Sequence, residues 1–171
     1  YSSAASDVYK RQVLGCRYVM YGEWIYAKHT IFYDRLPHYF LEFDILDLET
    51  AEFLSTPRRR SMLDGLPVVS VPVLREGKVS GLESLTDLVG ASLYKSDRWK
   101  ERLRAVTAEL GLDVDRAVRE TDCLDDGEGL YIKVEDQGRV VGRYKWVRHG
   151  FLQTVKRSDS HWPVSYTHLT L

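Results

Sequence analysis

A chain of 171 residues, 44% hydrophobic and 29% charged, is long enough for one domain with a real core. Its net charge of −1 excludes a global basic field, so any nucleic-acid surface must be a local basic patch. No apolar run approaches the roughly 20 residues needed to cross a membrane. Cys16 and Cys123 lack metal or redox spacing, which fits a reducing, cytoplasmic setting without a membrane partner.

The chain begins with YSSAASDVYKRQ, which has neither helical nor strand periodicity, and VSYTHLTL closes it in the same detached way. Both resemble translated adapter or vector sequence. Residues 1–12 and 163–171 are therefore expected to be non-native tails around a coherent stretch of 13–162. Two strand pieces are predicted at 17–21 and 23–28, interrupted at Gly22-Glu23 by a bulge or a close backbone approach. After a turn at Tyr33–Pro37, His38–Asp47 reads as a strand covered on both faces, because aromatic and aliphatic residues crowd it. Ser55-Thr56-Pro57 starts a short helix with Thr56 as its cap and an end near Gly65. Leu66–Leu74 is strand-like, with Pro67 and Pro72 placing it at a sheet edge.

A helical block follows at about 80–122. Ser80–Glu83 has capping-box spacing ahead of a stripe of Leu85, Leu88, Val89 and Leu93. A second helix is predicted over 97–110, capped by Asp97, with Trp99, Leu103, Val106 and Leu110 on its apolar face. A third, short one is predicted over Asp115–Glu120. Leu130–Glu135 and Arg139–Arg148 then form a hairpin around Asp136-Gln137-Gly138. Strands, then helices, then strands argue for an α+β fold with antiparallel sheet.

Residues two apart on a strand share a face. Tyr131, Lys133 and Glu135 therefore point one way on the first hairpin strand, and Arg143 and Lys145 point together on the second. Cations fixed on one face of a rigid sheet suit a phosphate, and the same spacing also fits solvated lysines on a half-exposed hairpin. Glu23, Asp44 and Glu128 are polar spots in otherwise apolar strands. A buried carboxylate costs several kcal/mol unless it is paired or binds a cation, and Lys133 and Lys145 are available partners for Glu128. Arg58-Arg59-Arg60 fits either phosphate contact or a solvated helix face. The five histidines have no ligand spacing, so no zinc site is expected, and P-loop, dinucleotide-binding and nucleophile-elbow signatures are absent.

Four segments stand in order: YGEW at Tyr21–Trp24, FLEFDILD at Phe40–Asp47, EGLYIK at Glu128–Lys133 and RYKWVR at Arg143–Arg148. Together they resemble motifs III, IIIa, IV and V of the covalent nucleotidyltransferases, and most closely the ATP-dependent RNA ligase family. The resemblance implies an antiparallel-sheet nucleotidyltransferase domain of the ATP-grasp-like adenylation type, with the helical block as an insertion. It implies ATP and Mg2+ (or Mn2+) as cofactors, RNA ends as substrate, and no obligate protein partner. The implied reaction joins an RNA 3′-hydroxyl to a 5′-phosphate through lysyl-AMP and RNA-adenylate. By motif position Glu23 is the ribose-contacting acid, Phe43 (or Phe40) the ring stacked on adenine, and Glu128 the carboxylate on the metal side of the α-phosphate. Lys145, Arg143 and Lys133 neutralise phosphate charge.

No K-x-D-G, the family's nucleophile motif, occurs in the 171 residues. The chain is therefore expected to be a fragment, incomplete as an adenylation domain and inactive in adenylation by itself. A DNA ligase or another polynucleotide-end nucleotidyltransferase, or a non-catalytic nucleotide- or RNA-binding module, are the alternatives.

Overall fold

The computed structural model describes residues 14–28 and 30–157, so both stretches read as tails lie outside it. Five strands form one sheet: β1 (Tyr18–Trp24), β2 (Phe40–Asp47), β3 (Glu52–Leu54), β4 (Gly129–Asp136) and β5 (Arg139–Val147), in the order β1-β2-β3-β5-β4. Helices α1 (Thr56–Leu63), α2 (Glu83–Thr86), α3 (Trp99–Glu109) and α4 (Val114–Arg119) lie between β3 and β4 in sequence, and α5 (His149–Arg157) follows β5. The β1–β2, β2–β3 and β3–β5 pairs are antiparallel, so the fold mixes helices with an antiparallel sheet as expected. Contacts divide the chain into two compact units. Among the described residues, one comprises those up to Trp24, Phe40–Pro72 and Tyr131–Tyr144; the other comprises those in Ile25–Tyr39, Val73–Leu130 and from Lys145 to Arg157.

In the first unit β1 is a single strand where two pieces were expected, and the interruption takes the form of a bulge. Tyr21 pairs with Asp44 and Gly22 with Glu42, which leaves Phe43 without an opposite residue. Gly22 is also a close approach: a Cβ there would sit 2.3 Å from the Phe40 ring and 2.8 Å from the Leu41 carbonyl oxygen. The bulge changes which residues share a face. Glu42 bonds Arg59 of α1, and Ile45 packs with Leu54 and with Leu63 of the same helix, although three positions separate them. In an uninterrupted strand such residues point to opposite faces. Ile45, Leu54 and Leu63 form the core of this unit, with Tyr18, Met20, Met62, Leu66 and Val68 packed on it. Each fully buried aliphatic side chain contributes about 1.5–3 kcal/mol.

Two expectations in this unit are corrected. The cap of α1 is Ser55, not Thr56, because the Thr56 amide and hydroxyl both donate to Glu135, at 2.8 and 2.7 Å. Leu66–Leu74 is not a strand. It meets the sheet at one parallel bridge, Ser70 to Glu42, and Pro67 and Pro72 lack the amides to extend a ladder. The hairpin turn is tight, with Gln137 and Gly138 both at positive φ (47° and 80°), the two-residue geometry that matches strand twist.

In the second unit α3 buries Trp99, Leu103 and Val106 as its spacing predicts, while Leu110 is exposed. Its N-cap is Arg98 and not Asp97: the Ser96 hydroxyl, itself held by Asp34, accepts the Arg98 amide. α2 is one turn where a longer helix was expected. Of the stripe, Leu93 is exposed and Leu85, Leu88 and Val89 are only half-buried, and α2 buries no residue, so little packing sustains a longer helix. α4 is capped by Asp113, whose carboxylate accepts the Arg116 amide at 2.9 Å.

Candidate functional site

The first unit gathers much of the predicted constellation around Asp44, which is completely buried. The Tyr131 hydroxyl donates to Asp44 Oδ2 at 2.5 Å. Lys133 Nζ donates to Asp44 Oδ1 at 2.8 Å and to the Phe43 carbonyl at 2.6 Å. Arg143 brings its guanidinium to 3.7 Å from Asp44 Oδ2 and lies 3.8 Å above the Phe53 ring. The expected common face of Tyr131 and Lys133 is therefore real, but it meets a buried carboxylate. The Lys133 bridge goes to Asp44 and not to Glu128, the partner that the sequence made available. Two cations against one anion leave a positive surplus, and the Arg143 side chain is 44% exposed. Burial, reinforced by the bond to Asp44, pushes the Tyr131 phenol up to about 12.

Phe43 occupies the bulge, half-buried, with its ring 5.3 Å from Tyr131 in an edge-on arrangement. Bulges re-aim side chains beside functional sites. Glu23, opposite Leu41 on β1, is exposed and not buried within its strand. The arginine run splits. Arg59 is buried against Glu42, whereas Arg58 donates to the Gly138 carbonyl at 3.3 Å, so the run makes neither a phosphate patch nor a solvated face as a whole.

The second unit holds Glu128 and Lys145. Glu128 is half-buried and accepts from the Tyr33 hydroxyl at 2.9 Å; Tyr33 is itself buried and stacks edge-on with Tyr94. The Tyr33 hydroxyl orients that carboxylate. Its backbone is fixed too. The Arg148 amide donates to the Glu128 carbonyl at 3.0 Å, Arg148 Nε donates to the Gly127 carbonyl at 2.7 Å, and the same guanidinium pairs with buried Asp122. Gly129 permits the close strand approach that follows, since a Cβ would sit 2.0 Å from the Trp146 carbonyl oxygen. Nearby, burial pushes Lys95 down to about 8, with Arg148 adding to the effect, while its Nζ donates to the Leu124 carbonyl at 2.6 Å. Lys145 is exposed on β5.

Tyr33, Arg148 and Asp122 were missed by the motif reading. No local spacing links a turn tyrosine to a carboxylate 95 positions away, Arg148 sits at a motif's end, and Asp122, though close to Glu128 in sequence, lies outside all four segments. Among the described residues no group of three or more His, Cys, Asp or Glu side chains is arranged to hold a metal ion. A single oriented carboxylate instead fits a magnesium-type ion, which keeps its waters and is completed by phosphate oxygens. No helix among the described residues is long and apolar enough to cross a membrane.

The family model described as RNA ligase matches residues 3–147, ending with the last residue of β5 and taking in most of the stretch 1–12. The chain belongs to the RNA ligase family, the family that its four ordered segments resemble. No curated protein and no solved structure matches it.

Proposed function

We propose that this chain is part of an ATP-dependent RNA ligase that joins RNA 3′-hydroxyl and 5′-phosphate ends through lysyl-AMP and RNA-adenylate. The observation that carries the reading is the gathering of Tyr131, Lys133 and Arg143 around Asp44, in a chain of the RNA ligase family. Three of the four motif-like segments contribute to that one cluster. Phe43 is the platform for adenine and exposed Glu23 the acceptor for ribose hydroxyls. Arg143 and Lys145 neutralise phosphate charge by direct donation. Lys133 has committed donors to Asp44 and the Phe43 carbonyl, and an ammonium has a third to offer a phosphate. Glu128, oriented by Tyr33, holds the divalent ion, Mg2+ or Mn2+, which supplies charge neutralisation at the α-phosphate when bound.

The reaction needs a lysine nucleophile that attacks the α-phosphorus as pyrophosphate leaves. With no K-x-D-G among these 171 residues, the reading places that lysine in a segment of the parent protein that they do not include. The test is covalent labelling with α-labelled ATP, run on the 171-residue chain and on a version extended upstream. Label is expected on the extended form alone, reduced by about 100-fold in Glu128→Ala and in Lys145→Ala, the size of losing one electrostatic stabiliser. Labelling that survives both changes refutes the site assignment. Label on the short chain refutes the missing nucleophile.

A further inference from the structure

Glu42 and Arg59 form an ion pair with side chains 0% and 1% exposed, between β2 and α1. As a stabilising device this is a poor choice, because a buried pair is commonly no better than apolar residues of the same volume. This pair is worse than most: Glu42 Oε1 and Arg59 Nε have no hydrogen-bond partner. Its effect is positional. The Glu42 carboxylate receives both Arg59 and the Ser70 hydroxyl, the latter at 2.7 Å. The Glu42 amide donates to the Val69 carbonyl and its own carbonyl accepts from the Val71 amide, both at 2.8 Å. Every bond converges on the residue just before the bulge. One position on, Lys133 holds the Phe43 carbonyl.

From this geometry we infer that the Glu42–Arg59 pair is a positioning device for Phe43, fixing where the extra residue of β2 falls and hence the face its ring takes. The inference rests on the reading of Phe43 as the adenine platform. A one-residue slip along a strand flips side chains to the opposite face. Apolar Leu41, Phe43 and Ile45 would tolerate more than one placing of the bulge. A carboxylate that must reach the Arg59 guanidinium tolerates one.

The test removes the pair and keeps the volume, in Glu42→Met with Arg59→Leu. Thermal unfolding checks the fold, and calorimetric titrations with ATP and with inorganic tripolyphosphate separate base binding from phosphate binding. The double variant is expected to unfold at or above the temperature of the unaltered chain and to bind tripolyphosphate unchanged. Its ATP affinity falls about tenfold, the scale of one lost base–aromatic stack. Phe43→Ala gives the same split. Ser70→Ala, a milder variant that keeps the pair, is expected to weaken ATP by about twofold without touching tripolyphosphate, and it decides the matter if the double variant fails to fold. A folded double variant, or failing that Ser70→Ala, with an unchanged ratio of ATP to tripolyphosphate affinity overturns the inference while Phe43→Ala still lowers that ratio. If Phe43→Ala leaves the ratio unchanged, or the unaltered chain binds no ATP, the reading beneath it fails as well.

Discussion

Glu42 and Asp44 stand two residues apart on β2 and both are completely buried, yet they serve opposite faces of the strand in opposite ways. Glu42 is closed off with a guanidinium that is itself 1% exposed. Asp44 is the inner end of a cluster that opens outward, through Lys133 at 11% exposure to Arg143 at 44%. In the first arrangement the charge is used up inside. In the second the buried carboxylate orders cations that reach progressively further towards solvent. The difference teaches that a buried acid in a strand is neither structural nor functional by its burial; what matters is where its partners lead.

Breaking the closed side should have the largest effect. Glu42→Ala leaves Arg59 buried without its counter-charge and should cost about 3–5 kcal/mol of stability, read from urea unfolding. A loss below about 1 kcal/mol would mean that Arg59 reaches water easily and that the side is not closed. Asp44→Ala should cost less, about 1–3 kcal/mol, because Arg143 is already half in solvent; a loss equal to that of Glu42→Ala would erase the contrast.

Tyr131→Phe removes a single bond to a charged acceptor and should cost about 1.5 kcal/mol. The same phenol gives a pH signature. Its pKa lies at about 12 in the folded chain against an ordinary value of 10.0, so the folded state keeps a proton that the unfolded state has lost. Stability from this group is complete below pH 10 and is lost as pH rises through about 12. Ultraviolet titration should show a tyrosine ionising late in the unaltered chain and earlier, towards the ordinary value, in Asp44→Asn. The smallest effect is expected for Ser70→Ala, about 0.5–1.5 kcal/mol, since Arg59 still satisfies Glu42 Oε2.

The hairpin was legible because alternation and a Gly-containing turn are local signals, and its observed strands fall within one residue of the expected ones. So was α3, whose apolar spacing buries Trp99, Leu103 and Val106. The long helix expected after Ser80 failed because its stripe is nowhere fully buried and Leu93 is left exposed, which no local pattern reports. Shared facing of Tyr131 and Lys133 was readable from period two, but their common target was not. Asp44 lies 89 positions from Lys133, and the bulge that turns Glu42 away from Asp44's side depends on register with β1. Tyr33 beside Glu128 is invisible for the same reason: long-range pairing, and not composition, brings the hydroxyl there.

The unmatched residue on β2 has a consequence for how this strand tolerates change in length. Phe43 behaves as a letter inserted into a sentence that scans without it. With it deleted, Glu42, Asp44 and Ile45 would alternate as an ordinary strand, the first and third still toward α1 and the second still toward Tyr131 and Lys133. The scaffold's grammar is complete before the aromatic ring is added. A sheet built this way can gain or shed that ring by a single-codon event and keep every neighbour on its own side.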